Sequence, residues 1–347
     1  MDKKAEEGLA LYRKYRPQTF AEVLGQEHIT KVLEGSIKLG RISHAYLFSG
    51  SRGTGKTSVA RIFAREIGTS SNDTYEIDAA SNTGVDDVRA LNESVSVVPF
   101  ESKYKVYIID EVHMLSKSAF NALLKTLEEP PPHVVFILAT TEPEKVPETI
   151  HSRCQSFSFR RPSQKILADV IVKTAKQEGF SLEPSSADLI ALLADGSFRD
   201  ALGILQKVTS ASRDKKVSVQ EVETVTGAPR SQSINDMLGV LEKGDLDSAL
   251  SITRVIPEQN IDPRVFLKLL LRKFRFVLLL RYAPRLAEHI KAEVSTEDFA
   301  FLSELAAKRE SKLNEQTLLA LLEAYEHSGR SYVPELPLEL ALMKILG

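Results

Sequence analysis

The densest chemistry in the sequence lies in GSRGTGKTS, Gly50 to Ser58. Glycines at 50, 53 and 55 allow successive backbone N–H groups to turn inward around an anion. Lys56 stands where an ammonium reaches the outer phosphates of a nucleoside triphosphate, and Thr57 offers a hydroxyl to Mg²⁺. The expected nucleotide contacts are Gly50, Ser51, Arg52, Gly53, Thr54, Gly55, Lys56, Thr57 and Ser58. KVYIIDEVHM adds a pair of carboxylates at a strand end: Asp110 to hold Mg²⁺ through its hydration shell, and Glu111 as base or positioner of an attacking water. The plainer alternative is that both cap the strand and face solvent. VVFILATTEP ends in Thr140 and Thr141. A hydroxyl there, Thr141 first, touches the water or the γ-phosphate, unless threonine is present simply as a good strand former. Arg199, in GSFRD, either reaches back to the phosphates and couples a lid to nucleotide state, or pairs on the surface with Asp200 or Asp195.

These groups need a frame that sets strand ends beside one another. HAYLFSG, TYEIDAA, YKVYIIDE, HVVFILAT and CQSFSF read as strands, three of them largely apolar, as in a parallel sheet covered by helices on both faces. Between them KTSVARIFAREIG, VDDVRALNESV and SAFNALLKTLEE carry helical spacing. After Arg160–Pro162 the pattern turns helical, with two helices meeting at Gly196, and further helices fill the chain from about Ser231 to Leu346. The expected organisation is an α/β nucleotide-binding domain over 1–160, a small helical lid over 161–228 and an all-helical domain over 229–347.

At 347 residues and 43% hydrophobic content the chain can fill more than one core, and its net charge of −2 argues against wholesale electrostatic capture of DNA. One cysteine, Cys154, excludes an internal disulfide and a cysteine-based zinc site; it fits a reducing compartment and reads as a packed residue, not a reactive thiol. The opening MDKKAEEGLA has no apolar signal region, and Lys268, Arg272, Lys273 and Arg275 interrupt the most apolar run, VFLKLLLRKFRFVLLLRY. A buried bundle helix and a cytoplasmic protein are expected, with no membrane partner. Phe266, Leu270, Phe274 and Val277 on that run serve either an internal core or a partner face. His28, His44, His113, His133 and His151 lack metal-ligand spacing and read as structural or solvent-facing.

LYRKYRPQTFAEVLGQEHI, HAYLFSGSRGTGKTSVARIFAR, EIDAASNTGVDDVR, YKVYIIDEVHMLSKSAFNALLKTLEEPPPHVVFILATTEP and ETIHSRCQSFSFRR together resemble the bacterial DNA polymerase III gamma/tau family, clamp-loader ATPases of the AAA+ class. The resemblance is close over about residues 9–210 and rests beyond that on helical organisation. It implies an AAA+ domain, a lid and a C-terminal collar, ATP with Mg²⁺, and Arg153 of SRC as an arginine finger reaching into the neighbouring subunit's site. It also implies that Tyr12, Tyr15, Pro17, Phe20 and Val23 wall the adenine. The partners implied are other clamp-loader subunits, further copies of this chain among them, in a pentameric ring, with the sliding clamp and the backbone of primer–template DNA. Arg89, on the helix expected around residues 82–94, is either a DNA phosphate contact or a solvated charge.

The chain departs from the family in one place. Where gamma/tau chains usually carry a four-cysteine zinc module, a short polar loop from Gly68 to Thr74 leaves no zinc ligands. This keeps open the archaeal and eukaryotic clamp-loader small subunit, or another oligomeric DNA-remodelling ATPase, as alternatives. Ending at Gly347, the sequence is expected to be a gamma-like or trimmed form without the polymerase-contacting extension.

Overall fold

A computed structural model of the chain describes residues 9–81, 83–212, 214–291, 293–308 and 310–347. The leader reading on residues 1–8, and Asn82 at the start of the expected DNA-facing helix, lie outside them. The chain divides into two compact units, one ending at Val217 and one running Ser218–Gly347.

The first unit is built on five parallel strands, β1 (Ala45–Ser49), β2 (Thr74–Asp78), β3 (Lys105–Asp110), β4 (Val134–Thr140) and β5 (Gln155–Ser158), in the order β2-β3-β4-β1-β5. Composition explains that order. AYLFS, KVYIID and VVFILAT take the three interior places, while the more polar TYEID and QSFS take the edges, where one side of the ladder meets solvent. All seven residues of β4 are buried. Alternation along the pleat sends Leu47, Tyr107, Ile109, Phe136 and Leu138 to one face and Tyr46, Phe48, Ile108, Ile137 and Ala139 to the other.

The helices of this unit are α1 (Leu11–Lys14), α2 (Glu27–Lys38), α3 (Lys56–Glu66), α4 (Val85–Val95), α5 (Lys117–Glu128), α6 (Glu148–His151), α7 (Gln164–Gln177), α8 (Pro184–Leu193) and α9 (Phe198–Ala211). Val88, Leu91, Leu123 and Leu127 carry α4 and α5 onto the first face; Ile29, Leu33, Val59 and Phe63 carry α2 and α3 onto the second. Serines that accept backbone N–H groups start several of these helices: Ser116 for α5, Ser163 for α7 and Ser197 for α9. A two-stranded ladder of β6 (Ser181–Leu182) and β7 (Lys216–Val217) closes the helical end of the unit.

The second unit is all helical: α10 (Val219–Thr226), α11 (Ser231–Lys243), α12 (Leu246–Glu258), α13 (Pro263–Tyr282), α14 (Ala287–Lys291), α15 (Thr296–Ala307), α16 (Glu315–Ser328) and α17 (Leu336–Leu346). The long apolar run is α13, and Phe266, Leu270, Phe274 and Val277 are buried in the unit's own core, which decides between the two readings of that stripe. Among the described residues no helix is long and apolar enough to cross a membrane.

The loop from Gly68 to Thr74 is ordered around Asp73. Its fully buried carboxylate accepts the backbone N–H groups of Phe100, Glu101 and Ser102. Burial alone would raise its pKa, but these donors and the Ser102 hydroxyl together hold it down at about 2.

Candidate active site

Three apolar strands end side by side at one edge of the sheet, and the loops leaving them converge. β1 runs into the phosphate loop, whose last residue, Gly55, is the N-cap of α3; Lys56 and Thr57 are therefore the first residues of that helix, with its backbone N–H groups aimed at the loop. The loop needs glycine for space as well as conformation. A Cβ on Gly50 would lie 2.5 Å from the Phe159 carbonyl oxygen, and one on Gly53, where φ is +75°, would lie 2.0 Å from Ser197 Oγ.

Lys56 is buried at 6% exposure and donates from Nζ to the carbonyls of Gly50 (2.7 Å) and Ser51 (3.0 Å), so it is held across the loop it serves. Burial pushes its pKa down, against the pull of Glu111 and Asp110. From α3 the Thr57 hydroxyl donates to Asp110 Oδ2 at 2.7 Å. These two hard oxygens, from different elements, suit Mg²⁺, which favours oxygen ligands and keeps much of its own water. Glu111 follows with φ +49°, a left-handed turn that ends β3 abruptly and exposes the carboxylate to the cleft. Thr141, just past β4, donates to Glu111 Oε2 at 2.9 Å. It reaches the site through that carboxylate and is not itself part of the cleft wall.

The cleft has a volume of about 1020 Å³. Arg52, Gly53, Thr54, Gly55, Lys56, Thr57, Ser58, Asp110 and Glu111 line it, with Tyr12, Tyr15, Pro17 and Val23 from the N-terminal arm and Arg199 from α9. Gly50 and Ser51 stand behind the wall, contributing carbonyls to Lys56. Phe20, expected to wall the adenine, does not: its ring is buried in the core beneath the sheet, because the short 3₁₀ turn Phe20–Glu22 points it inward. Arg199 sits in the first turn of α9 with its guanidinium over the Tyr12 ring, 5.0 Å from the centroid. Asp195, one of the surface partners weighed for Arg199, pairs instead with Arg161 at 3.2 Å.

Arg153 is not in this cleft. It follows α6, where its guanidinium donates to Glu128 Oε1 at 2.6 Å and to the Thr149 carbonyl at 2.8 Å, with a third of the side chain exposed. Its acidic partner is thus Glu128, on α5. Arg89 lies exposed on α4, 3.0 Å from Asp86. Cys154 packs against the core, and burial pushes its thiol up to about 12.

Three further residues brace the site. Gln26, fully buried, donates to the Arg160 carbonyl at 2.7 Å and accepts the Arg160 N–H at 3.1 Å; its amide also lies 3.5 Å from the Thr54 carbonyl. Arg161 joins Ser51 Oγ (3.0 Å) to Asp195. The Phe198 N–H donates to the Gly53 carbonyl at 3.0 Å. Together they tie the phosphate loop to the start of the helical section, and no spacing rule marks them. A buried glutamine directly before a helix, in LGQEHI, is the nearest thing to a sequence signal.

Among known families, the model described as DNA polymerase III, delta subunit matches residues 25–83 and 70–163. The tau subunit of DNA polymerase III from Bacillus subtilis is 40% identical over 97% of this chain and 63% of its own length, so the chain spans less than two thirds of that relative. The gamma subunit from Buchnera aphidicola is 33% identical over 89% of this chain and 91% of its own length. Among solved structures, the Thermotoga maritima Holliday junction branch migration motor RuvB superimposes with a TM-score of 0.52, covering 84% of this chain and 90% of that one at 20% identity. That likeness concerns the fold alone and agrees with the AAA+ α/β architecture. With the Buchnera relative matched over nearly its whole length, the chain belongs to the DNA polymerase III gamma/tau subunit family.

Proposed function

We propose that this chain is an ATP-hydrolysing motor subunit of the bacterial replicative clamp loader. The separation of Arg153 from an otherwise convergent cleft carries the reading. Lys56, Thr57, Asp110 and Glu111 meet at one place, whereas Arg153 holds a part-exposed position on Glu128, from which it is available to a second chain. In this reading Lys56 and the loop N–H groups bind the phosphates. Thr57 and Asp110 hold Mg²⁺, which supplies charge neutralisation at the β and γ oxygens when bound. Glu111 orients the attacking water, Thr141 steers Glu111, and Arg199 with Tyr12 joins the lid to the nucleotide. Tyr15, Pro17 and Val23 complete the base-side wall.

Arg153 of one subunit then stabilises the charge that develops in its neighbour's site, worth about 10³-fold or more in rate for arginine fingers in general. Residues 1–160 act as the motor domain, 161–228 as the lid and 229–347 as the collar of a pentameric ring in the cytoplasm. The ring includes further copies of this chain and companion subunits. It opens a sliding clamp and sets it on primer–template DNA through backbone contacts, with Arg89 as a candidate. Hydrolysis serves as the release switch.

The test is ATP turnover with primed DNA in an equimolar mixture of Lys56→Ala and Arg153→Ala chains. Random neighbours rebuild a site wherever an intact loop faces an intact Arg153, about one interface in four in a head-to-tail arrangement of self-contacts. Each variant alone should be nearly inactive and the mixture should regain turnover. No regain, under conditions where wild type is active, overturns the shared-site reading.

A further inference from the structure

His113 is buried beside the catalytic carboxylate and is not used by the scheme above. The left-handed turn at Glu111 starts a short 3₁₀ segment, Val112–Met114, that folds the imidazole back under the ends of β3 and β4 with 5% of its side chain exposed. Nε2 lies 3.1 Å from Glu142 Oε1, and Nδ1 lies 3.0 Å from Thr140 Oγ1 and 3.5 Å from Glu111 Oε2.

The partners determine where the ring proton sits. Glu142 also meets Lys145 at 2.7 Å, and that hydrogen bond holds its pKa below the usual carboxylate value, so it is an acceptor at neutral pH. Nε2 therefore donates to Glu142. Thr140 Oγ1 accepts the Glu142 N–H at 3.0 Å and stands at hydrogen-bond distance, 3.0 Å, from Nδ1. Nδ1 stands 3.5 Å from Glu111 Oε2, and the Thr141 hydroxyl donates to that same oxygen at 2.9 Å.

We propose that His113 is a positioning residue for Glu111: held between Thr140 and Glu142, its ring walls the carboxylate from behind and turns it toward Thr141. This rests on the hydrolytic reading of Glu111. It links the register of β3 and β4 to the orientation of the residue that places the water, so a shift at Thr140–Glu142 is felt at Glu111 without contact to the nucleotide.

The experiment measures kcat and ATP affinity of His113→Ala, Thr140→Val and Glu111→Gln, each in the smallest assembly in which the wild-type chain turns over. His113→Ala is expected to bind ATP as wild type does and to lose about 10- to 100-fold in kcat, the scale of a misplaced reacting group. A purely structural role would lower affinity and thermal midpoint together and would not give this split. Thr140→Val keeps the side-chain shape while removing the hydroxyl from Nδ1; it should show a several-fold lower kcat, and it decides the matter if His113→Ala does not fold. Wild-type kcat in His113→Ala, or in Thr140→Val where that variant decides, overturns the inference, provided Glu111→Gln is inactive. Wild-type turnover in Glu111→Gln overturns the hydrolytic reading itself, and this inference with it.

Discussion

Gly53→Ala tests whether the phosphate loop and the helical section are locked together as described. The added Cβ would meet Ser197 Oγ at 2.0 Å and Ser197 Cβ at 3.0 Å, and the residue would have to hold φ at +75°. A left-handed conformation costs a non-glycine residue about 1–2 kcal/mol. The Ser197 hydroxyl must also swing away, breaking its cap on the Asp200 N–H at 3.1 Å. Loss of such a cap costs about 1 kcal/mol. The sum is a destabilisation of about 2–3 kcal/mol, read by urea titration of the purified chain. Gly203→Ala, in the interior of α9 with open space around it, is the control and should gain about 0.5–1 kcal/mol. Adding Ser197→Gly to Gly53→Ala removes the colliding side chain. Because glycine is a tolerable N-cap, the double variant should recover about 1 kcal/mol relative to Gly53→Ala. A Gly53→Ala chain within about 0.5 kcal/mol of wild type would refute the close packing of loop against α9.

Two other perturbations address the rest of the molecule. Asp73→Asn removes the carboxylate that accepts three N–H groups and should cost about 2 kcal/mol at neutral pH, the scale of hydrogen bonds to a charged group. Because the folded pKa of about 2 lies below the ordinary 3.8, the stabilisation is fully present above 3.8 and is lost as pH falls toward about 2; the gap between wild type and variant in unfolding titrations should close over that window. In the second unit Lys273 donates to Ser231 Oγ (2.6 Å), Asn235 Oδ1 (2.7 Å) and Asp298 Oδ1 (2.8 Å), joining α11, α13 and α15. Burial alone would raise the pKa of Asp298, but Lys273 and Asn235 hold it down, while burial pushes that of Lys273 down against the pull of Asp298. Lys273→Met leaves that carboxylate with its Asn235 and Ser231 hydrogen bonds but no counter-charge, and should destabilise by about 3 kcal/mol, with the Lys273→Met/Asp298→Leu double variant losing less; equal losses in the two chemical unfolding series would count against a buried ion pair.

The primary sequence was sufficient for the parts of the site that local chemistry specifies. A loop that must wrap an anion needs its glycines, Lys56 and Thr57 at set spacing, and apolar strands that end in Asp110–Glu111 or Thr140–Thr141 put those groups at the same edge of any parallel sheet. Three of the five strands were legible as largely apolar, and the fold gives the interior places to AYLFS, KVYIID and VVFILAT. Tertiary structure alone decided which side of each neighbouring residue faces the cleft. Phe20 and Val23 lie three residues apart in one segment and both pack into the same core, yet only Val23 also reaches the cleft wall, since the turn between them sets their directions. His113 carries no ligand spacing and reads as an ordinary histidine; the left-handed turn at Glu111 brings it against Thr140 and Glu142, some thirty residues along the chain. Gln26 and Arg161 escape sequence reading for the same reason. Their partners are backbone carbonyls, loop hydroxyls and a carboxylate far away in the chain, and periodicity reports the face of an element, not what folds up against it.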